Sequence, residues 1–210
     1  MTKIFFLGKN PNEYNKRYGQ ERPNLKLTCE NPECDCHVLY KHGCYRRTAV
    51  TKRRLIEIPI YRWRCPVCGQ TVSVLPNFLV PWRHFVTLVR EAALKRRQDG
   101  MSFRKIAGGV ATTVVGGIHP KTIKRWWGRY LSNASDVALY MAAALIRSGV
   151  DEDLLRSHFR GVNPGPVDTA RWLLVLVKKY LSILGVGASP LPFRGYFSIL
   201  NTLLPSPLQI

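Results

Sequence analysis

The run Cys65-Pro66-Val67-Cys68-Gly69 constrains this chain more than any other stretch of it. Two thiols separated by two residues can reach one ion. A glycine immediately after them allows the tight turn that aims backbone N–H groups at sulfur. The residues that follow, 70–74, read as a strand leaving the turn. A knuckle held between strands is half of a zinc ribbon, so the other half must come from upstream. Cys29, Cys34, Cys36, His37, His42 and Cys44 are the candidates there. Cys29 and Cys34 are separated by four residues, which suits a ligand pair. The expected set is therefore Cys29, Cys34, Cys65 and Cys68, with Cys36 as the alternative to Cys34. Four thiolates close the coordination sphere of a Zn2+ ion and leave no position for water, so the site is expected to be structural. Cys44 is expected to be a non-ligand, and His37 and His42 to be surface or hydrogen-bonding residues. Two plainer readings compete with this one. A lone cysteine is commonly a small buried hydrophobe, and a redox Cys-x-x-Cys normally sits in a βαβ pattern that is missing here.

The sequence around the cysteines is that of short strands. Residues 38–47 and 55–64 both read as strands, and in the second Ile56, Ile58 and Ile60 alternate before Tyr61 and Trp63. Pro76 and Pro81 then exclude a helix and close the module. Beyond them the period changes. Phe85, Leu88, Val89, Ala92 and Ala93 recur at helical spacing, and Gly100 ends the run. Ser102 is placed to cap a second helix containing Phe103, Ile106 and Ala107. His119-Pro120 opens a third, with proline in its favoured first position, running to about residue 131. Two further helices are expected at about 136–147 and 168–184, separated by a breaker at 161–166. The tail, with Pro190, Pro192, Pro205 and Pro207, is expected to be irregular.

The expected class is α+β: a β-rich zinc ribbon, then an all-α helix-turn-helix region and C-terminal helices. The divisions are a basic arm (1–28), the ribbon (29–82), the helix-turn-helix (83–132), a helical region (133–186) and a Pro-rich tail (187–210).

Charge narrows the partner. The chain has 32 Lys and Arg against 13 Asp and Glu, a net charge of +19. Residues 83–131 alone hold 11 basic and 2 acidic side chains. Such a density is best relieved by a polyanion, and nucleic acid is the obvious one. In the third helix Ile123, Trp126, Trp127 and Tyr130 fall at apolar spacing. Lys121, Lys124 and Arg125 lie on the other side, as a recognition helix in a major groove requires. Thr122 stands where a base or phosphate could be met, and Arg129, Arg104 and Lys105 extend the basic surface. The bland alternative is a solvated basic face on an ordinary amphipathic helix.

Residues 29–131 resemble the zinc-binding and helix-turn-helix region at the N-terminus of bacterial insertion-sequence transposases. They resemble still more a related stand-alone bacterial family of unknown function. The matching residues are the cysteines, His42-Gly43-Cys44-Tyr45-Arg46-Arg47, the run from Tyr61 to Cys68, the run from Leu75 to Pro81, and Lys121-Thr122-Ile123-Lys124-Arg125-Trp126. The resemblance implies double-stranded DNA as partner, and no chemistry. Two departures stand out. The first cysteine pair in those families is Cys-x-x-Cys, which leaves the second ligand open here between Cys34 and Cys36. The segment between Ala107 and Ile123 is also longer than a compact helix-turn-helix uses.

A strand-cutting transposase needs three carboxylates on a mixed α/β domain to hold two metal ions. After residue 131 the acids are Asp136, Asp151, Glu152, Asp153 and Asp168, with no strand pattern to carry them. The chain is thus expected not to be an enzyme by itself. It is expected in the cytoplasm, nucleoid-associated, with no membrane segment. The apolar helix after Ala170 is expected to be buried, or else to form a homodimer that reads two half-sites. The competing functions are an RNA-binding or ribosome-associated ribbon, with Tyr45, Tyr61 and Trp63 stacking bases, and a zinc-stapled protein-interaction module.

Overall fold

The alternating run at 55–64 lies at the heart of a four-stranded sheet. The computed structural model of the chain describes residues 1–36, 38–110, 117–151, 165–183 and 195–204. The strands are β1 (Thr2–Phe5), β2 (Tyr40–Val50), β3 (Leu55–Arg64) and β4 (Thr71–Pro76), in the order β1-β4-β3-β2. β3 pairs antiparallel with both β2 and β4, and β1 adds parallel to β4. The register of β2 on β3 shifts between Lys41 and Cys44, a local irregularity beside the glycine at 43. β2 begins two residues later than the sequence suggests and extends to Val50.

The N-terminal stretch contributes more than an arm. β1 is a short strand within the stretch expected to be an arm, and a helix, α1 (Pro11–Tyr18), follows it. Its start carries a signal that the sequence reading missed. Asn10 Oδ1 accepts from the Glu13 N–H at 3.0 Å, Pro11 occupies the first turn, and Glu13 reaches back to the Lys9 N–H at 2.9 Å. The helix is moored by Tyr14, which is fully buried and donates its hydroxyl to the Pro59 carbonyl at 2.8 Å.

Beyond the sheet the chain is helical: α2 (Thr87–Gln98), α3 (Phe103–Val110), α4 (Pro120–Arg147), α5 (Pro166–Ile183) and α6 (Tyr196–Leu203). The Ser102 cap holds, its Oγ accepting the Lys105 N–H at 3.3 Å. His119 caps α4 through Nδ1, which accepts the Lys121 N–H at 3.1 Å, with Pro120 next in line. Two expectations are corrected. The helices expected at 120–131 and 136–147 are one helix of 28 residues. Ser132 turns its hydroxyl back onto the Arg129 carbonyl at 3.0 Å, which satisfies its polar group within the helix. Ala134, Val137, Ala138, Met141 and Leu145 continue the buried stripe through it. The C-terminal tail also contains α6, which returns to the sheet: Ser198 meets Asn77 beside β4. The breaker expected at 161–166 and the acids Glu152 and Asp153 lie largely outside the described residues.

α4 packs along α5 and against α2 and α3, while α6 touches α2, α5 and β1. One continuous apolar cluster runs from Ile4 in β1 to Leu204 after α6. The helix after Ala170 buries Leu173, Leu176, Val177 and Leu181 in it, with Val175 and Ile183 left outside. No helix among the described residues is long and apolar enough to cross a membrane.

Candidate metal centre and basic helical face

Cys65 and Cys68 sit on the turn between β3 and β4. Gly69 takes φ +71° there, a conformation that glycine adopts without the steric penalty of a side chain. The turn is closed by the Gly69 N–H to the Cys65 carbonyl at 3.1 Å and the Cys65 N–H to the Gln70 carbonyl at 2.9 Å. Cys29 and Cys34 come from the irregular segment before β2, where the Cys34 N–H bonds to the Asn31 carbonyl at 3.0 Å. The result is a four-sulfur cluster that could hold a metal ion. All four sulfurs lie within 4.8 Å of one another. Cys29 stands 3.6 Å from Cys68, and Cys34 stands 3.7 Å from Cys65. A tetrahedron with metal–sulfur bonds of ~2.3 Å has edges of about 3.8 Å. The sulfurs are therefore spaced as one four-coordinate ion needs.

Of the two options for the second ligand, the fold brings in Cys34. Cys36 is outside that four-sulfur set: its thiol donates to the Val38 carbonyl at 3.2 Å, although it stays near Cys65. Cys44 is exposed on β2 and outside the cluster, as expected. His42 is exposed on the same strand, its ring edge-on to Tyr40; His37 lies outside the described residues. Ionisation is shared unevenly. Burial opposes the Cys65 thiolate, but the N–H groups of Cys68 and Val67 and the neighbouring thiols outweigh it, bringing its pKa down to about 6. The Cys29 thiol has a favourable contact from the Asn31 backbone, yet burial and the other three thiols push it up to about 12. Four thiols at this spacing cannot all lose their protons without a cation among them.

The basic residues named from sequence lie on α3 and α4. Arg104 and Lys105 are exposed on α3, with Ile106 and Ala107 buried beneath them. On α4 Lys121, Lys124, Arg125 and Arg129 are exposed and Thr122 is half-buried. Arg125 Nη2 donates to Thr122 Oγ1 at 3.3 Å, which ties the two together on the first turns. The opposite face buries Ile123, Trp126 and Tyr130. Trp126 packs edge-on to Phe85 at 5.3 Å, and Tyr130 donates to the Ala170 carbonyl at 2.8 Å. Trp127, adjacent to Trp126 and so turned to another face, is half-buried.

The aromatics expected to stack bases are placed otherwise. Trp63 and Tyr61 are buried; only Tyr45 is exposed. Arg22 lies over both buried rings, 5.2 Å from that of Tyr61 and 5.3 Å from that of Trp63. It also donates to the carbonyls of Arg62 and Gly43. Both rings alternate inward on β3, and the residues before Cys29 cover them. A reading confined to the ribbon could not see that cover.

The described residues thus define a mixed α/β protein: a four-stranded sheet, six helices and a four-cysteine centre able to hold a metal ion. Residues 31–126 match the model of a family described as a domain of unknown function, DUF6431. The match takes in Cys34, Cys65, Cys68 and the start of α4, and ends at Trp126. It is in keeping with a family of unknown function and identifies no transposase or zinc-ribbon family. No curated protein and no solved structure matches the chain.

Proposed function

We propose that this protein binds double-stranded DNA in a sequence-specific manner, as a transposase-related protein or a transcriptional regulator. In this reading a structural Zn2+ at Cys29, Cys34, Cys65 and Cys68 staples a ribbon, and α3 and α4 act as the helix-turn-helix. The observation that carries it is the one-sided character of α4. Its first turns present Lys121, Lys124, Arg125 and Arg129 outward while Ile123, Trp126 and Tyr130 are packed inward. Cationic side chains on a helix held rigid from behind are what groove reading and phosphate contact require. Thr122, braced by Arg125, is positioned with them near the helix N-terminus, where base-contacting residues of such helices lie.

The cysteine centre supports the zinc part of the reading through the chemistry of its donors. Four thiolates at tetrahedral spacing favour zinc among the ions that need no redox change. When bound, the ion supplies cross-linking of two distant segments and no reactive position. Its role would be to fix the segment before β2 against the β3–β4 turn.

Duplex binding to a random-sequence pool, measured by anisotropy over a salt series, tests the function. The expected plot of log affinity against log salt is steep, about 0.9 unit for each phosphate neutralised. Lys124→Glu combined with Arg125→Glu should weaken duplex binding by more than tenfold. Unchanged affinity in that variant would overturn the assignment of α4.

A further inference from the structure

We propose that the turn at Trp82 is a second nucleic-acid contact, which stacks an unpaired base on the Trp82 indole and holds its phosphate with the arginines beside it. The turn is unusual in two respects. Trp82 is 90% exposed, more than any other large apolar side chain described. It is also the one non-glycine residue described with a positive φ, +61°. The Arg83 N–H bonds back to the Val80 carbonyl at 3.2 Å, so Val80-Pro81-Trp82-Arg83 is a β-turn with proline at its second position. A positive φ at the third position is the place for glycine or asparagine, and a bulky side chain there is strained.

The strain is held in place from outside the turn. Arg47, on β2, donates from one Nη2 to the Val80 carbonyl at 2.7 Å and also to the Arg83 carbonyl. Those two carbonyls bracket Trp82. A buried tryptophan would repay such an arrangement with apolar burial. This one buries almost nothing, so neither local propensity nor core packing accounts for it. Strain retained without a folding benefit points to a surface role.

The surroundings define the ligand. Trp82 borders a cleft of about 690 Å³ shared with Tyr45, Arg46, Arg62 and His84. Its floor is a polar row across the sheet, in which Arg62 stands opposite Ser73 and Ser73 opposite Thr2. No carboxylate lines it among the described residues. Aromatic faces beside uncompensated guanidinium groups are the composition that binds unpaired nucleotides: rings take bases, arginines take phosphates. A protein partner is less favoured by a cleft so rich in cations and so poor in aliphatic side chains.

The site does not rest on the duplex reading, since its lining belongs to the sheet and the turn.

The test uses the zinc-loaded full chain with a dye-labelled single-stranded oligodeoxynucleotide, its RNA counterpart, a blunt duplex, and an abasic version of the single strand. Wild type is expected to bind at least one intact single strand and to bind the abasic strand several-fold less tightly. Trp82→Ala should weaken single-strand binding about tenfold, leave blunt-duplex binding within twofold, and be partly rescued by Trp82→Phe. Trp82→Gly should melt no lower than wild type, because glycine relieves the turn. DNA and RNA arms identify the source of the strand, and binding of either supports the site. Absence of single-strand binding, an unaffected Trp82→Ala, an equal loss on blunt duplex, or a lowered melting temperature for Trp82→Gly would each overturn it. Failure of the Lys124 and Arg125 variant on duplex, with these outcomes intact, would remove only the α4 assignment.

Discussion

Asn77 and Ser198 are 121 residues apart in sequence and share a buried hydrogen bond of 2.5 Å. Asn77 donates through Nδ2 to the Ser198 hydroxyl and accepts the Leu7 N–H on Oδ1 at 3.4 Å. One side chain after β4 thereby holds the segment after β1 and the last described helix. Removing it leaves two buried polar groups without that partner. Asn77→Ala should cost about 1–3 kcal/mol, measured as a shift of the urea midpoint with unchanged slope. A neutral substitution would show that α6 is docked by its apolar residues alone.

Metal content should follow the sulfur geometry. One zinc per chain is expected from elemental analysis, and replacement by Co2+ should give the intense thiolate charge-transfer bands of a four-sulfur site. Cys65→Ser or Cys68→Ser should abolish stoichiometric binding and loosen the segment before β2. Cys36→Ser and Cys44→Ser should retain a full equivalent. Loss of metal in Cys36→Ser would place that residue in the sphere instead of Cys34.

Trp126 carries more of the helical packing than its neighbour. It is 5% exposed, against Phe85 on one side and the Arg90 guanidinium on another. Trp126→Ala should cost ~3–5 kcal/mol in denaturant titrations. Trp127→Ala, at a half-buried position, should cost clearly less. Equal losses would contradict the orientation of α4.

Arg90 is a buried charge whose Nε and Nη1 have no hydrogen-bond partner among the described residues. Burial, then repulsion from Arg83 and Arg129, brings its pKa well below the usual guanidinium range, to about 10. The folded state therefore disfavours the proton. The penalty is fully present below pH 10 and is relieved as pH rises above it. The Trp126 face, 5.7 Å away, offsets part of it. Arg90→Met should accordingly raise stability at neutral pH by roughly 1–3 kcal/mol, with the advantage shrinking above pH 10. A destabilised Arg90→Met at pH 7 would mean that the ring contact and stem packing exceed the charge penalty.

Local chemistry was legible without coordinates. The alternating isoleucines fixed β3 to the residue, Leu55–Arg64. Cys65-x-x-Cys68-Gly69 located the turn, and Ser102 and His119-Pro120 located two helix starts. These signals reach no further than a few residues along the chain, and so does the physics behind them. The Asn10-Pro11-Asn12-Glu13 start of α1 is a local signal of the same kind.

Everything that depended on distant partners had to wait for the fold. Spacing favoured Cys34 and kept Cys36 as the alternative, because either thiol can reach an ion a few residues away. The choice is made by the Cys34–Asn31 backbone bond and the direction in which the chain then leaves. Ser132 to Ser135 read as a helix end until α4 is seen pressed along α5, where packing outweighs weak propensity. Tyr61 and Trp63 are aromatic in any reading; that Arg22 and α1 cover them, while Arg47 pins Trp82 out in the solvent, is a matter of long-range contacts. Sequence set the local hydrogen-bonding and periodicity of each element. Only tertiary structure decided which side chains are covered, because covering is done by residues far away in the chain.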